Sequence, residues 1–195
     1  MKKYVSAFLL IISILTFSSC NYGEDTLQGK TSDIKYEGKS VYLCNPYDYT
    51  LIDSTLVKDG CFSFRFSDTI PTIYSLMLKS SSDDKFPMTL PIVAGDGDAK
   101  VHLGEIVLTS GTKLNDNMQD FLLAMDSFYE KAVKKNSTNE NILPSFHQFL
   151  KKQILQNKDN IVGIYIYQSH KSSFSPELKD EILLQSGEWF NKQIN

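Results

Sequence analysis

The chain has 195 residues, with 20 Lys and Arg against 23 Asp and Glu, and a formal net charge of −3 at pH 7. Because binding to nucleic-acid phosphates requires clustered cations, this balance argues against a nucleic-acid partner. Arg65 is the only arginine, which leaves one candidate for bidentate recognition of phosphate or carboxylate. The length is sufficient for a hydrophobic core, in one domain or two small ones.

Residues 1–19 have the form of a secretory signal peptide. Two lysines near the start precede an apolar run from Val5 to Phe17, which is too short for a stable transmembrane span. Small residues then lead into Cys20, and this arrangement resembles the lipobox of bacterial lipoproteins. The resemblance implies cleavage before Cys20 and acylation of that cysteine with fatty acids such as palmitate. An ordinary signal peptide followed by an unrelated cysteine is the alternative.

Residues 20–33 are polar and predict a lipidated tether that could run into a first strand. Residues 34–110 predict a β domain, because short β-rich runs alternate with Gly, Pro, Asn and Asp. These runs are Ser40–Cys44, Leu51–Val57, Cys61–Phe66, Ile73–Leu78, Met88–Val93, Ala99–Leu103 and Ile106–Thr109. Asp59-Gly60 is a strong hairpin signal between the second and third runs. About seven short strands at this spacing predict an antiparallel sandwich or an open barrel.

Residues 111–195 predict a helical domain, so that the fold class is α+β. Apolar residues recur at helical spacing from Met118 to Val133, with Asn115 and Asp116 as candidate N-caps. Residues 136–141 are polar and predict a loop, after which Pro144 suits the first turn of a second helix. The apolar run Ile161–Tyr167 fits either a strand or a short buried helix. Ser175-Pro176 predicts the start of a last helix.

Several short motifs together resemble a known β-rich domain of unknown function. They are Gly38–Leu43, Asp53-Ser54, Asp59–Phe64, Pro71, Tyr74, Ala94–Asp98, and Ser110–Thr112 with Asn115. That domain is found in bacterial lipoproteins of the thiol–disulfide oxidoreductase class, before a helical linker and a thioredoxin-like domain with Cys-x-x-Cys. The present sequence contains no Cys-x-x-Cys. The resemblance therefore implies the fold and the envelope location, and it carries over neither redox cysteines nor oxidoreductase activity.

Cys44 and Cys61 are predicted to remain free thiols. In a meander, the strand Leu51–Val57 would separate them by roughly 15–20 Å at about 3.3 Å per residue. A disulfide requires Cα atoms within about 7 Å. Alternation with the phenylalanines also places Cys61 on the wet face of its strand.

No catalytic, cofactor or metal motif is apparent in the sequence, so we expect a protein that is not an enzyme and uses no cofactor. His102, His147 and His170 lack the spacing of a zinc site. Asp96-Gly97-Asp98 lacks the ligand ladder of a calcium loop and predicts a turn between strands. Trp189-Phe190 fits the core of a helical domain better than a docking patch for a partner.

Three short segments resemble the Asp-(Ser/Thr)-aliphatic-or-small motif of a bacterial O-glycosylation system, in which the hydroxyl residue carries the glycan. Their hydroxyl residues are Thr26, Ser54 and Thr69. About one such match is expected by chance. For Asp53-Ser54, a turn at the start of a strand is the structural alternative.

These observations predict a lipid-anchored protein of the bacterial cell envelope. Acylated Cys20 would hold it in the bilayer, and we expect that bilayer to be the outer membrane. Its expected role is non-catalytic binding or assembly with an envelope protein partner. The alternative is an accessory subunit of a thiol–disulfide system that acts with a separate thioredoxin-like protein. A small-molecule carrier that uses the concave side of the sheet is a third hypothesis.

Overall fold

The computed structural model describes residues 24–79, 87–104, 107–134 and 139–194. Within these ranges the chain forms eight strands followed by five α-helices, an α+β fold as predicted. The strands are β1 (Asp25–Thr31), β2 (Ser40–Cys44), β3 (Leu51–Leu56), β4 (Cys61–Phe66), β5 (Thr72–Leu78), β6 (Met88–Ala94), β7 (Ala99–Leu103) and β8 (Val107–Ser110). The helices are α1 (Lys113–Lys134), α2 (Asn139–Gln156), α3 (Ile161–His170), α4 (Pro176–Ser186) and α5 (Glu188–Ile194).

The strands form two four-stranded sheets. Sheet A has the order β4-β1-β7-β8, and sheet B has the order β3-β2-β5-β6. All pairs are antiparallel except β1–β7, which is parallel. Alternate side chains of both sheets point inward and form one apolar core, which includes Leu27, Val41, Phe64, Leu76 and Val101. The arrangement is a β-sandwich.

The first strand lies in the segment that the sequence predicts as a tether. β1 begins at Asp25 and is an inner strand of sheet A, and the side chain of Leu27 is completely buried. The tether predicted over residues 20–33 therefore ends before β1, and residues 20–23 lie outside the described ranges. Because the segment has one large apolar residue among polar ones, its strand character comes from distant partners rather than from local composition.

The hairpin predicted at Asp59-Gly60 is wrong, although its turn forms. Lys58 and Cys61 exchange both backbone hydrogen bonds at 2.9 Å, and Asp59 and Gly60 both have positive φ. Beyond this single pair the strands diverge, because β3 joins β2 in sheet B whereas β4 pairs with β1 in sheet A. The turn therefore passes the chain from one sheet to the other.

One lateral edge of the sandwich is closed by α1. The side chain of Asn115 binds the backbone of Val93 on β6, and that of Gln119 binds the backbone of Thr109 on β8. Both strands lie at the edges of their sheets, so these amides occupy positions that a further strand would take. Asn115 is thus an interior helical residue. The N-terminal hydrogen bond predicted for it comes instead from Thr112, whose hydroxyl accepts from the amide of Asn115 at 3.2 Å.

The helices form a second core against the outer face of sheet B. Ile73 on β5 and Val93 on β6 contribute to it, together with α1 to α5 residues such as Phe121, Ile166 and Phe190. The run Ile161–Tyr167, which fitted strand or helix, lies in α3. Asn160 caps that helix by accepting from Val162 at 2.9 Å. Ser175 caps α4 with Pro176 in its first turn, as predicted, but this is not the last helix, because the chain breaks at Gly187 (φ +92°) before α5.

The second helix begins earlier than the sequence suggests. α2 starts at Asn139, inside the segment predicted as a loop, and Pro144 therefore lies within the helix rather than in its first turn. Residues 136–138 and Ile106, which the sequence places in a loop and a strand, lie outside the described ranges.

Candidate binding face

The outer face of sheet A presents an ordered array of side chains, most of them polar. Strand register aligns them in two rows across the four strands, and all of these side chains are exposed. The first row is Ser63–Gln28–Lys100–Ser110, and the second is Cys61–Lys30–His102–Leu108. We call these eight residues the array. Adjacent strands lie about 4.8 Å apart, so neighbours within a row can contact one ligand together.

The array arises from strict alternation along each strand. In β4 and β7 the buried residues Phe62, Phe64, Val101 and Leu103 alternate with exposed polar ones. In β1 the inward position opposite Phe62 is Gly29, and a Cβ there would lie 2.0 Å from the ring of Phe62. The glycine therefore lets the phenylalanine ring lie across β1 and holds β1 and β4 in this register.

An open groove of about 1130 Å³ lies over the array. Its lining extends past the edge of sheet A to Thr55, Leu56 and Lys58, which belong to β3 and the turn after it. The groove therefore runs across the outer face of sheet A, from β8 to the lateral edge formed by β3 and β4. Its volume exceeds the usual range for small-molecule sites, about 300–1000 Å³, which favours an extended ligand.

The groove is positively charged although the whole chain is acidic. Lys30, Lys58, Lys100 and His102 line it, and its lining contains no Asp or Glu. The ion pairs within the described ranges involve other cations, namely Lys35, Arg65, Lys134 and Lys151. The three groove lysines thus lack a carboxylate within ion-pair distance among the described residues, which makes them available to an anionic ligand.

Two carboxylates are already engaged at the next row of the same face. Asp98 accepts from both the amide and the hydroxyl of Thr26, each at 2.8 Å. These two hydrogen bonds, with a smaller contribution from Lys100, hold the pKa of Asp98 below its usual value. Glu24 lies 3.9 Å from Arg65. The row Arg65–Thr26–Asp98 therefore marks one end of the basic region.

The two cysteines of the described chain are not bonded to each other, as predicted. Cys44 is buried on β2 in sheet B, and burial raises the pKa of its thiol. Cys61 is exposed on β4 in sheet A and belongs to the array. The predicted meander is wrong, because the two residues lie in different sheets. The exposure predicted for Cys61 from strand alternation is confirmed.

The histidines and acidic turn do not form a metal site. Within the described ranges, no group of three or more metal-ligating side chains comes together. His102 lies in the array, whereas His147 and His170 pack edge-on against Phe174 and Phe146 in the helical core. Asp96-Gly97-Asp98 forms the turn between β6 and β7. There Asp96 accepts from the amide of Leu114, and Asp25 accepts from that of Gly97, at 2.9 Å each.

The predicted modification sites are scattered over the molecule. Thr26 lies on β1 with its hydroxyl bound to Asp98, Ser54 is exposed on edge strand β3, and Thr69 is exposed in the connection between β4 and β5. Cys20 lies outside the described residues. Of the pair Trp189-Phe190, Phe190 is completely buried, whereas Trp189 keeps 45% of its surface exposed.

Sequence reasoning missed the array itself. The alternation of Lys100 and His102 with Val101 and Leu103 indicates a strand with one solvent-exposed face. Nothing local indicated that this face would continue onto Gln28 and Lys30, because β7 pairs with β1 across more than seventy positions of sequence.

Comparisons with protein-family models, with curated proteins and with solved structures found no match. The resemblance to the β-rich domain of thioredoxin-associated lipoproteins therefore stays a prediction from the sequence. In the part of the chain that the structure describes, no helix is long and apolar enough to cross a bilayer.

Proposed function

We propose that this chain is a lipid-anchored protein of the bacterial cell envelope that binds an envelope component non-catalytically. The single observation that carries the binding role is the basic groove over the array. Three lysines from β1, β7 and the turn after β3, which have no carboxylate partner among the described residues, lie on one face of an acidic chain and are available to a ligand. The envelope location rests on the signal peptide and the Cys20 motif.

The rigidity of the array supports binding. Its strands are backed by the sandwich core, so the side chains project from a fixed surface rather than from loops. The groove lining contains no carboxylate that could act as a general acid or base. It does contain lysines and neutral hydrogen-bonding groups, which suit recognition of an anionic ligand.

Site-specific photo-crosslinking in cells that make the full lipidated chain tests this role. A photoreactive residue at Gln28 lies in the array, whereas one at Asp120 lies exposed on α1 and serves as the matched control. We expect a defined adduct from position 28 that is strongly reduced by Lys100→Gln, and none from position 120. Equal adducts at both positions, or none at position 28, would contradict the proposed role. A Cys20→Ala variant should leave the membrane fraction, which tests the anchor separately.

The accessory redox role is a second candidate, favoured by one observation. Cys61 is exposed within the array, at the row end next to Lys30, where a thiol of a docked partner could reach it. In this case the adduct at position 28 would contain a thioredoxin-like protein, and Cys61 would form a reducible mixed disulfide with it. A Cys61→Ser variant that binds normally excludes this candidate and leaves the first one intact.

A further inference from the structure

The two lysines of the array are diagonal neighbours. Lys30 lies opposite His102, and Lys100 lies opposite Gln28 on the adjacent strand. From a strand spacing of about 4.8 Å and a same-face repeat of about 6.7 Å, their Cα atoms are about 8 Å apart. Each ammonium group sits on a flexible four-carbon stem. A ligand that extends along the array can therefore place a separate anionic group on each lysine.

Neutral hydrogen-bonding groups surround these cations. Gln28, Ser63 and Ser110 fill the first row with Lys100, and each can both donate and accept. A ligand that satisfies this face therefore carries hydroxyl groups between its anionic groups. This combination of chemical groups is that of an acidic sugar polymer.

Other anionic polymers fit the face less well. Arg65 is not in the groove lining, and the inner strands β1 and β7 have neighbours on both sides, so their amides are not available to a phosphate. Peptides that bind sheets generally add to an open edge and place alternate side chains in pockets, whereas the array lies on the face of its sheet. The apolar side chains that reach the groove from exposed positions are Leu56 and Leu108, which lie at opposite margins.

We propose that the groove over the array binds an acidic polysaccharide, with carboxylates on Lys30 and Lys100 and hydroxyls on Gln28, Ser63 and Ser110. This inference rests on the proposed binding function and names its ligand class. The open shape and the volume of about 1130 Å³ suit a short run of sugar rings that crosses the four strands.

Binding of defined oligomers to the purified, folded chain tests the inference. The probe is a fluorescent oligogalacturonate, which carries one carboxylate on every ring, and its neutral counterpart is an oligogalactose of equal length. We expect binding of the acidic oligomer only, with affinity that falls as salt rises. The double substitution Lys30→Gln with Lys100→Gln should weaken it about tenfold or more, since each lysine loses a charge-assisted contact. Lys131→Gln with Lys192→Gln removes the same charge from exposed helical sites and should leave the affinity unchanged.

Competition separates sugar recognition from charge alone. Inorganic polyphosphate, poly-glutamate and anionic vesicles should each compete weakly, and Gln28→Leu should lower affinity while the charge is unchanged. Equal binding of any of these competitors, or an unchanged affinity in the array double variant, would overturn the inference. If no oligosaccharide binds while the crosslink at position 28 persists, the acidic-polysaccharide ligand is wrong and the proposed binding function still stands. Circular dichroism and the denaturation midpoint of each variant confirm that it is folded.

Discussion

Asn115 binds both backbone groups of Val93 although the two residues belong to a helix and a strand. The Asn115 Oδ1 accepts from the amide of Val93 at 2.9 Å, and its Nδ2 donates to the carbonyl of Val93 at 2.7 Å. One turn later, Gln119 Oε1 accepts from the amide of Thr109 at 2.7 Å. The helix therefore closes one lateral edge of the sandwich and joins the β and helical parts. The groove crosses the outer face of sheet A as far as the β3–β4 edge, on the other side of the sandwich.

Asn115→Ala should destabilise the protein by about 2–4 kcal/mol, because it leaves the buried amide and carbonyl of Val93 without partners. Asp120→Ala, at an exposed position of the same helix, should change stability by less than about 0.5 kcal/mol. Urea denaturation of the two variants measures the difference. Similar losses in both variants would mean that the side chain of Asn115 is not a structural link between the helix and the sheet.

Gly60→Ala should cost more stability than Gly38→Ala, although both glycines have similar positive φ, +67° and +69°. A Cβ at position 60 would lie 2.7 Å from the carbonyl oxygen of Thr31, whereas nothing lies within 4 Å at position 38. The shared backbone strain is about 1 kcal/mol, and the clash adds to it only at position 60. Thermal unfolding of both variants tests the turn that passes the chain between the sheets. Equal losses would contradict the close packing of Gly60 against β1.

The positions of β2 to β8 could be read from the sequence, but β1 and the strand partners could not. Alternation in Phe62–Phe66 and in Ala99–Leu103 is a local property, and it located β4 and β7 within one residue. The partner of β4 is β1, whose segment has a single large apolar residue, Leu27, and no local strand pattern. The Asp59-Gly60 turn also forms although the strands on its two sides do not pair with each other as in a hairpin. The residues Asp59 and Gly60 determine the turn locally, whereas the packing of Phe62 against Gly29 favours the pairing of β4 with β1 in sheet A.

The array was unpredictable for the same physical reason. Its members come from four strands that are far apart in sequence, and each is an ordinary polar residue on the wet side of a strand. The Asn115 link was hidden because an asparagine near the start of a helix usually acts as a cap. Its burial in the first turn depends on β6, which packs beside the helix and is distant in sequence.

Protein stability should fall as the pH drops below about 6.5, in part through His170. Burial against the helical core, with a smaller contribution from His147, lowers the pKa of His170 from its ordinary value of 6.5. The unfolded chain then takes up a proton at a higher pH than the folded one, so acidification favours unfolding. His170→Phe should flatten this part of the profile between pH 6.5 and the lower folded pKa. His102→Gln, at an exposed position, is the control, and an unchanged slope in His170→Phe would contradict this assignment.

The two cysteines should differ strongly in their reaction with a thiol reagent. Cys61 is exposed, whereas Cys44 is buried with a raised pKa, and only the thiolate reacts. In the folded protein Cys61 should be modified quickly, and Cys44 should be modified only after addition of denaturant. Mass spectrometry of the alkylated chain under non-reducing conditions counts both thiols. Loss of both thiols in the denatured protein would indicate a disulfide between them and contradict the placement of Cys44 in the interior and Cys61 on the outer face of sheet A.

The exposed thiol also offers the most direct test of the central claim, that the array on sheet A is the binding surface. A bulky maleimide applied to detergent-extracted envelopes should modify Cys61, which lies beside Lys30 in the array, before photo-crosslinking from position 28 is started. We predict that the modification removes the adduct in the native background and leaves it intact in a Cys61→Ser variant, which cannot be modified at this position. Full crosslinking after complete modification of Cys61 would show that the ligand does not lie across the array.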